Sequence, residues 1–310
     1  MPRKTTIAAT AAGPVAPARP VPDSNPLRAA AWMTGAVVAF TSMAVAGREL
    51  AGQHDTFEIM AYRSVFGLCI VLAIGGLAGT LGQITRRSLH VHAARNISHF
   101  TAQNLWFYAI TVAPLAQVIA LEFTSPLWVT LLAPLVLQEM LTRVRVLAAG
   151  LGFIGVLIVT QPFGGAPLGA GQAMAAAAAI GFAGSALFTR LLTRTETITC
   201  ILFYLTVMQS VFGLVCAGID GDMALPTAQS LPWLALVGLA GLTAHFCLTK
   251  ALSVAPAGVV MPMDFARLPI IGLVGMIFYL EPLSWGVIAG GILILAANWL
   301  NIRSETARRR

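Results

Sequence analysis

Ten apolar runs, each close to the ~20 residues a helix needs to cross a bilayer's hydrocarbon core, take up almost all of this 310-residue chain. They fall at about 29–47, 57–78, 95–113, 116–137, 143–160, 168–192, 198–218, 231–252, 256–280 and 284–302. Charged residues make up only 10% of the chain, against roughly 25% in soluble proteins. Such a chain lacks the polar surface to meet water. The runs are continuous rather than alternating, which excludes an outer-membrane barrel. The expected fold is an all-α membrane protein.

The formal charge of +7 is distributed unevenly. With the N-terminus inside, 16 of the 19 Lys and Arg residues fall on the inner side, including Arg86, Arg87, Arg95, Arg190, Arg194 and Lys250. Arg48 alone lies outside, while Arg63 and Arg267 lie within spans. Cytoplasmic loops collect Lys and Arg, so the expected location is the cell inner membrane, multi-pass, with both termini cytoplasmic. The same reasoning assigns the basic balance to topology rather than to nucleic acid. Residues 1–28 carry six prolines and are expected to form a disordered cytoplasmic tail. Residues 303–310 form a basic cytoplasmic tail. Ala44-Val45-Ala46 resembles a signal-peptidase site, but a 28-residue leader before the apolar run is long for a signal peptide. The repeat described next also needs this segment as a span.

Sliding the chain by 142 positions aligns its halves. Ala109-Ile110-Thr111-Val112-Ala113-Pro114 falls on Ala251-Leu252-Ser253-Val254-Ala255-Pro256. Glu122-Phe123 meets Asp264-Phe265, and Glu139 meets Glu281. Matching acids carry more weight than matching Leu or Val, because a span rarely holds an acid. Five spans per half is an odd number, so the second copy enters the membrane from the opposite side. The expected architecture is therefore ten transmembrane helices built from two inverted five-helix repeats, at 29–160 and 161–302. Carriers of this construction bind substrate near the midplane between the halves.

Leu121-Glu122-Phe123-Thr124-Ser125-Pro126-Leu127-Trp128 through Glu139, and Asp264-Phe265-Ala266-Arg267-Leu268-Pro269 through Pro282, resemble the EamA family of the drug/metabolite transporter superfamily. Tyr108 through Pro114 and Lys250 through Pro256 resemble that family's turn before the fourth and ninth spans. The resemblance covers residues 29–302. It implies a secondary transporter, not an enzyme, for a substrate class that in the family includes amino acids, riboflavin and S-adenosylmethionine. The family's fourth-span motif usually lacks an acid, whereas both halves hold one here.

The candidate substrate-binding residues are the polar groups that spans should not contain. Glu122 and Asp264 stand at comparable, pseudo-symmetric depths, where a bare carboxylate costs about 2.5–3.5 kcal/mol or more. Arg63 in the second span lies level with Glu122. It either clamps a substrate carboxylate or pairs with Glu122. Arg267, three residues beyond Asp264, shares its helix face and either neutralises it or joins it at the site. His99, Gln103 and Trp106 follow i, i+4, i+7 spacing and share one face of the third span. Gln103 aligns with His245 in the repeat. Trp32, Trp128, Trp285 and Trp299 are expected to anchor at the interfaces or pack in the bundle, and Glu139 and Glu281 to be structural. Gly181 and Gly184 should let the sixth span approach a neighbour closely.

Cys69, Cys200, Cys216 and Cys247 lie in apolar runs without a CxxC pair. They are expected to be packed thiols rather than disulfides or metal ligands, and no cofactor or metal is expected. HExxH, P-loop and GxSxG motifs do not occur. The expected function is a secondary transporter moving a small polar metabolite, an amino acid or related compound, by alternating access. The alternatives are a vitamin or nucleoside-like cargo (riboflavin, S-adenosylmethionine) or, from another class, a membrane-embedded enzyme or assembly factor. Expected partners are the small-molecule substrate and the lipid bilayer, with proton coupling and a homodimer left open.

Overall fold

The computed structural model describes residues 25–138, 142–160, 169–219, 221–280 and 285–307. Glu139 and Glu281 lie outside them. The described residues form α1 (Pro26–Glu49), α2 (Thr56–Leu77), α3 (Leu89–Val112), α4 (Leu115–Glu122), α5 (Ser125–Leu137), α6 (Arg143–Thr160), α7 (Ala170–Leu192), α8 (Ile198–Ala217), α9 (Leu231–Val254), α10 (Ala257–Val260), α11 (Arg267–Tyr279) and α12 (Trp285–Ala307). Short 3₁₀ turns occupy Leu81–Gln83 and Met261–Ala266. Taking α4 with α5 and α10 with α11 as one span each, the described residues form ten spans.

The 142-residue shift recurs in the helix ends. The N-caps Asp55 of α2 and Thr197 of α8 each accept a backbone N–H with their side chains. Ser88 and Ser230 precede α3 and α9, and Pro114 and Pro256 precede α4 and α10. α5 and α11 end on Gln138 (φ 56°) and Leu280 (φ 55°), both left-handed. That conformation is uncommon for a residue with a side chain. Its appearance at paired positions marks one loop geometry used twice.

Packing follows the same symmetry. α1 lies along α9 as α7 lies along α3, while α2 lies along α8 and α6 along α12. Exchanging the halves maps every one of these pairs onto itself or its twin. Because each half has five spans, the halves run in opposite directions and the relating axis lies in the membrane plane. Loop contacts agree. His54 and Tyr62 bond Ser230 and Ala224 at one end, while Thr85 bonds Glu196 and Arg194 bonds the Leu137 carbonyl at the other.

Six segments are long and apolar enough to span a membrane on composition alone: 26–49, 56–77, 170–192, 198–217, 231–254 and 257–279. α3 is equally long but buries His92, Arg95, Asn96, His99, Gln103 and Asn104 among its neighbours. Large apolar side chains face outward instead, as lipid requires, with Leu77, Leu135 and Phe278 all exposed. Trp128, Trp285 and Trp299 are also exposed, whereas Trp32 packs edge-on to Phe246. Gly181 lies against α3 so closely that an added Cβ would sit 2.8 Å from the Ala102 Cβ.

Two sequence boundaries move. α12 continues to Ala307, so the tail expected from 303 begins as helix. α3 starts at Leu89 rather than 95, its N-cap position Ser88 matching Ser230 of α9 in the 142-residue shift. Arg95, counted above among inner-side charges, therefore lies within a span and is buried.

Candidate functional site

Both carboxylates stand where the α-helical run of their spans is interrupted. α4 ends at Glu122, and Pro126 has no N–H to offer the Glu122 carbonyl, so the helix restarts only at Ser125. In the second half, Pro262 and Pro269 bracket a 3₁₀ stretch that holds Asp264. A broken span frees backbone groups and turns side chains inward, the arrangement carriers use at midplane sites.

Arg267 joins the two breaks. Its Nη2 donates to Glu122 Oε1 at 2.5 Å and to Asp264 Oδ2 at 2.7 Å. Trp106 Nε1 donates to the other Glu122 oxygen at 2.6 Å. The guanidinium lies between the rings of Phe40 and Phe123, its Cζ 5.1 Å from each centroid. Two carboxylates and one guanidinium leave one formal negative charge in this cluster. Burying it demands nearly complete hydrogen bonding, yet Asp264 Oδ1 and Arg267 Nε have no partner among the described residues.

These groups border a cavity of about 60 Å³ between the repeats, and His99, Gln103, Trp106, Glu122, His245, Asp264 and Arg267 all line it. His99 and His245 meet edge to face, ring centroids 4.6 Å apart. The i, i+4, i+7 stripe of α3 turns inward because α3 packs between α7, α8 and α1. His99 Nε2, Gln103 Nε2, His245 Nε2 and Ser125 Oγ are buried without hydrogen-bond partners among the described residues. Together with Asp264 Oδ1 and Arg267 Nε, six unpaired polar atoms border one cavity.

Arg63 stands apart. Its expected pairing with Glu122 does not form, because Arg267 occupies Glu122 instead. Arg63 lies in a smaller adjoining cavity with Gln209 and His245, its Nη1 3.5 Å from the Met60 sulfur. Its side chain extends along α9, where Gly241 leaves room: an added Cβ would sit 2.7 Å from Arg63 Nη2. The rival reading in which Arg267 only neutralises Asp264 is also too narrow, since Arg267 bridges both halves.

Sequence reasoning missed Arg95, Ser125, Thr189 and the ring of Phe182, all of which line the cavity. Arg95 is held by Thr189 (3.2 Å) and Asn96 (2.9 Å). A signal existed for Ser125, which is the repeat partner of Arg267.

The chain matches the EamA-like transporter family over residues 27–161 and again over 169–303. It is 32% identical to a riboflavin transporter of Brucella anthropi over 71% of this chain and 78% of that one. It is 30% identical to a riboflavin transporter of Rhizobium johnstonii over 94% and 96%. An S-adenosylmethionine uptake transporter of Rickettsia bellii is 24% identical over 88% and 93%. A solved crystal structure superposes with a TM-score of 0.73 at 17% identity, covering 91% of this chain and 98% of its own, which shows a shared fold. Two matched repeats, a full-length fold match and a polar cavity between the halves lead to one conclusion: this multi-pass membrane protein belongs to the EamA-like transporter family and is a transporter, not an enzyme.

Proposed function

We propose that this protein carries a small polar metabolite with an aromatic ring system, of the vitamin class that includes riboflavin, across the inner membrane by alternating access. The observation that supports this most is the convergence of six unpaired buried polar atoms with Trp106, Phe40, Phe123 and Phe182 on one cavity between inverted repeats. Aromatic walls stack on a planar ring, and the donors and acceptors fix its edges and polar substituents. Two relatives at 30% identity or more bear the name riboflavin transporter. The vitamin reading is therefore preferred to an amino-acid cargo. Glu122, Asp264, Arg267, His99, Gln103, Trp106 and His245 form the substrate site in this reading, with Arg63 in the adjoining cavity.

The cavity of about 60 Å³ is far below the roughly 300–1,000 Å³ of ligand pockets. Substrate entry thus requires the halves to part. The repeats at 29–160 and 161–302, with the helix ends that extend them at Pro26 and Ala307, are the bodies that rock, and the remaining terminal residues take no part.

The test is flux of riboflavin, S-adenosylmethionine and an amino-acid panel in proteoliposomes, with and without a pH gradient. Saturable riboflavin flux that exceeds amino-acid flux is expected. Amino-acid flux without riboflavin flux would return the assignment to the amino-acid class. A gradient dependence would add protons to the transport cycle.

A further inference from the structure

At the bundle end that the charge pattern assigns to the cytoplasm, His92 of α3, Glu196 of the α7–α8 loop and Cys200 of α8 converge. An imidazole nitrogen, a carboxylate oxygen and the thiol sulfur lie within 4.8 Å of one another. Relative exposures are 1% for His92, 6% for Glu196 and 0% for Cys200. Cys200 Sγ is 3.9 Å from His92 Nε2 and 3.8 Å from the Thr85 carbonyl oxygen. Zinc bonds of about 2.3 Å to sulfur and about 2.0–2.1 Å to nitrogen give a tetrahedral S···N edge of about 3.5 Å. The observed S···N separation is within a few tenths of an ångström of that edge, and the carboxylate oxygen, within 4.8 Å of both, closes the triangle by moving inward.

The opposite end of the bundle is an internal control. The 142-residue shift carries His54 onto Glu196, Glu58 onto Cys200, Thr85 onto Thr227 and Ser88 onto Ser230. At the outer end this scaffold is a closed hydrogen-bond cluster. His54 Nδ1 meets Glu58 Oε2 at 3.2 Å and Nε2 meets Ser230 Oγ at 3.0 Å. Glu58 also accepts the backbone amides of Asp55 and Ala224. Every ring nitrogen and carboxylate oxygen there is paired. At the inner end Glu196 hydrogen-bonds Thr85, whose Oγ1 donates to Oε2 at 2.7 Å, and also Ser88 and Cys200, while no hydrogen bond from the described residues reaches its Oε1. The second half has exchanged a carboxylate for a thiol at the position of Cys200, and the first half contributes an imidazole where α9 has Leu234. The inner cluster thus keeps one carboxylate oxygen, Glu196 Oε1, without a donor among the described residues, beside the thiol and the imidazole.

We propose that His92, Glu196 and Cys200 form a zinc-class divalent metal site that clamps α3 of the first repeat to α8 of the second. One thiolate, one imidazole and one carboxylate suit zinc and not magnesium or calcium, which take oxygen ligands. A water completes the tetrahedron. On binding, the Cys200 S–H bond is replaced by a sulfur–metal bond and the proton leaves to solvent, with no change of oxidation state. His92 gives its Nε2 lone pair and Glu196 a carboxylate oxygen. The site does not depend on which metabolite the protein carries.

The test uses the full chain in lipid nanodiscs, with Co²⁺ and Zn²⁺ as probes. Stoichiometric Co²⁺ should produce the charge-transfer absorption of a cobalt–thiolate bond, and Zn²⁺ should displace it and raise the unfolding temperature. The band should vanish in Cys200→Ser and persist in Cys69→Ser, Cys216→Ser and Cys247→Ser. His92→Gln and Glu196→Gln should each weaken Co²⁺ binding at least tenfold. Should Cys200→Ser fail to insert, Cys200→Ala takes its place, with the same cobalt band as the readout. A folded wild-type chain without the band, or a band that survives loss of the Cys200 thiol, would overturn the proposal.

Discussion

Arg267 bonds Glu122 across the boundary between the two repeats, Nη2 to Oε1 at 2.5 Å, although the residues are 145 positions apart. The same nitrogen holds Asp264, which is Glu122's own repeat partner. The two symmetric acids thus share one asymmetric cation, since the position equivalent to Arg267 in the first half is Ser125. Any motion that parts the halves at this level must break or re-form the Arg267–Glu122 bond.

That arrangement sets the outcome of charge substitutions. Glu122→Gln should insert normally, because Asp264 still neutralises Arg267, while transport falls at least tenfold. Arg267→Gln strands two buried carboxylates and should destabilise the fold by about 3–5 kcal/mol. The triple variant Glu122→Gln, Asp264→Asn, Arg267→Gln should recover stability without transport. Thermal unfolding and proteoliposome flux measure the two quantities separately. Wild-type flux in a stable triple variant would remove all three residues from the substrate site.

The α2–α8 crossing lies on the pseudo-symmetry axis and tolerates no added bulk. A Cβ at Gly213 would sit 2.7 Å from the backbone nitrogen of Ala61. Gly213→Val should cost about 1–3 kcal/mol by overpacking and lower the unfolding temperature. Gly82, with open space around it, is the control, and Gly82→Ala should change little. Equal melting of Gly213→Val and wild type would show that the helices separate here at little cost.

The proposed orientation, with both termini cytoplasmic, rests on the charge asymmetry. In a Cys69→Ser background, Ala51→Cys should react with an impermeant maleimide from the periplasmic side. Arg87→Cys should react only in inverted vesicles. The reverse pattern would invert the proposed topology.

Much of the fold was legible because the bilayer simplifies the reading. Every span must be apolar and about 20 residues long, so run lengths located the helices, and the odd span count with the 142-residue shift implied inversion. The structure extends the shift to helix ends, as the left-handed Gln138 and Leu280 show. The polar stripe His99, Gln103 and Trp106 was visible because polar residues avoid lipid. Sequence alone could not choose the partner of Glu122. Arg63 was level with it in depth, but depth says nothing of direction around the bundle. Only the packing of α2 against α8 and α9 turned Arg63 away, and only the breaks at Glu122 and Asp264 brought Arg267 between them. In the same way, the start of α3 at Leu89 places Arg95 within the helix and in the cavity wall rather than in a loop. The sequence determined which residues cross the membrane and in what repeated order, because hydrophobicity and periodicity are local properties. The tertiary structure decided which charges meet, because side-chain pairing depends on helix rotation and on proline breaks that no one-dimensional period records.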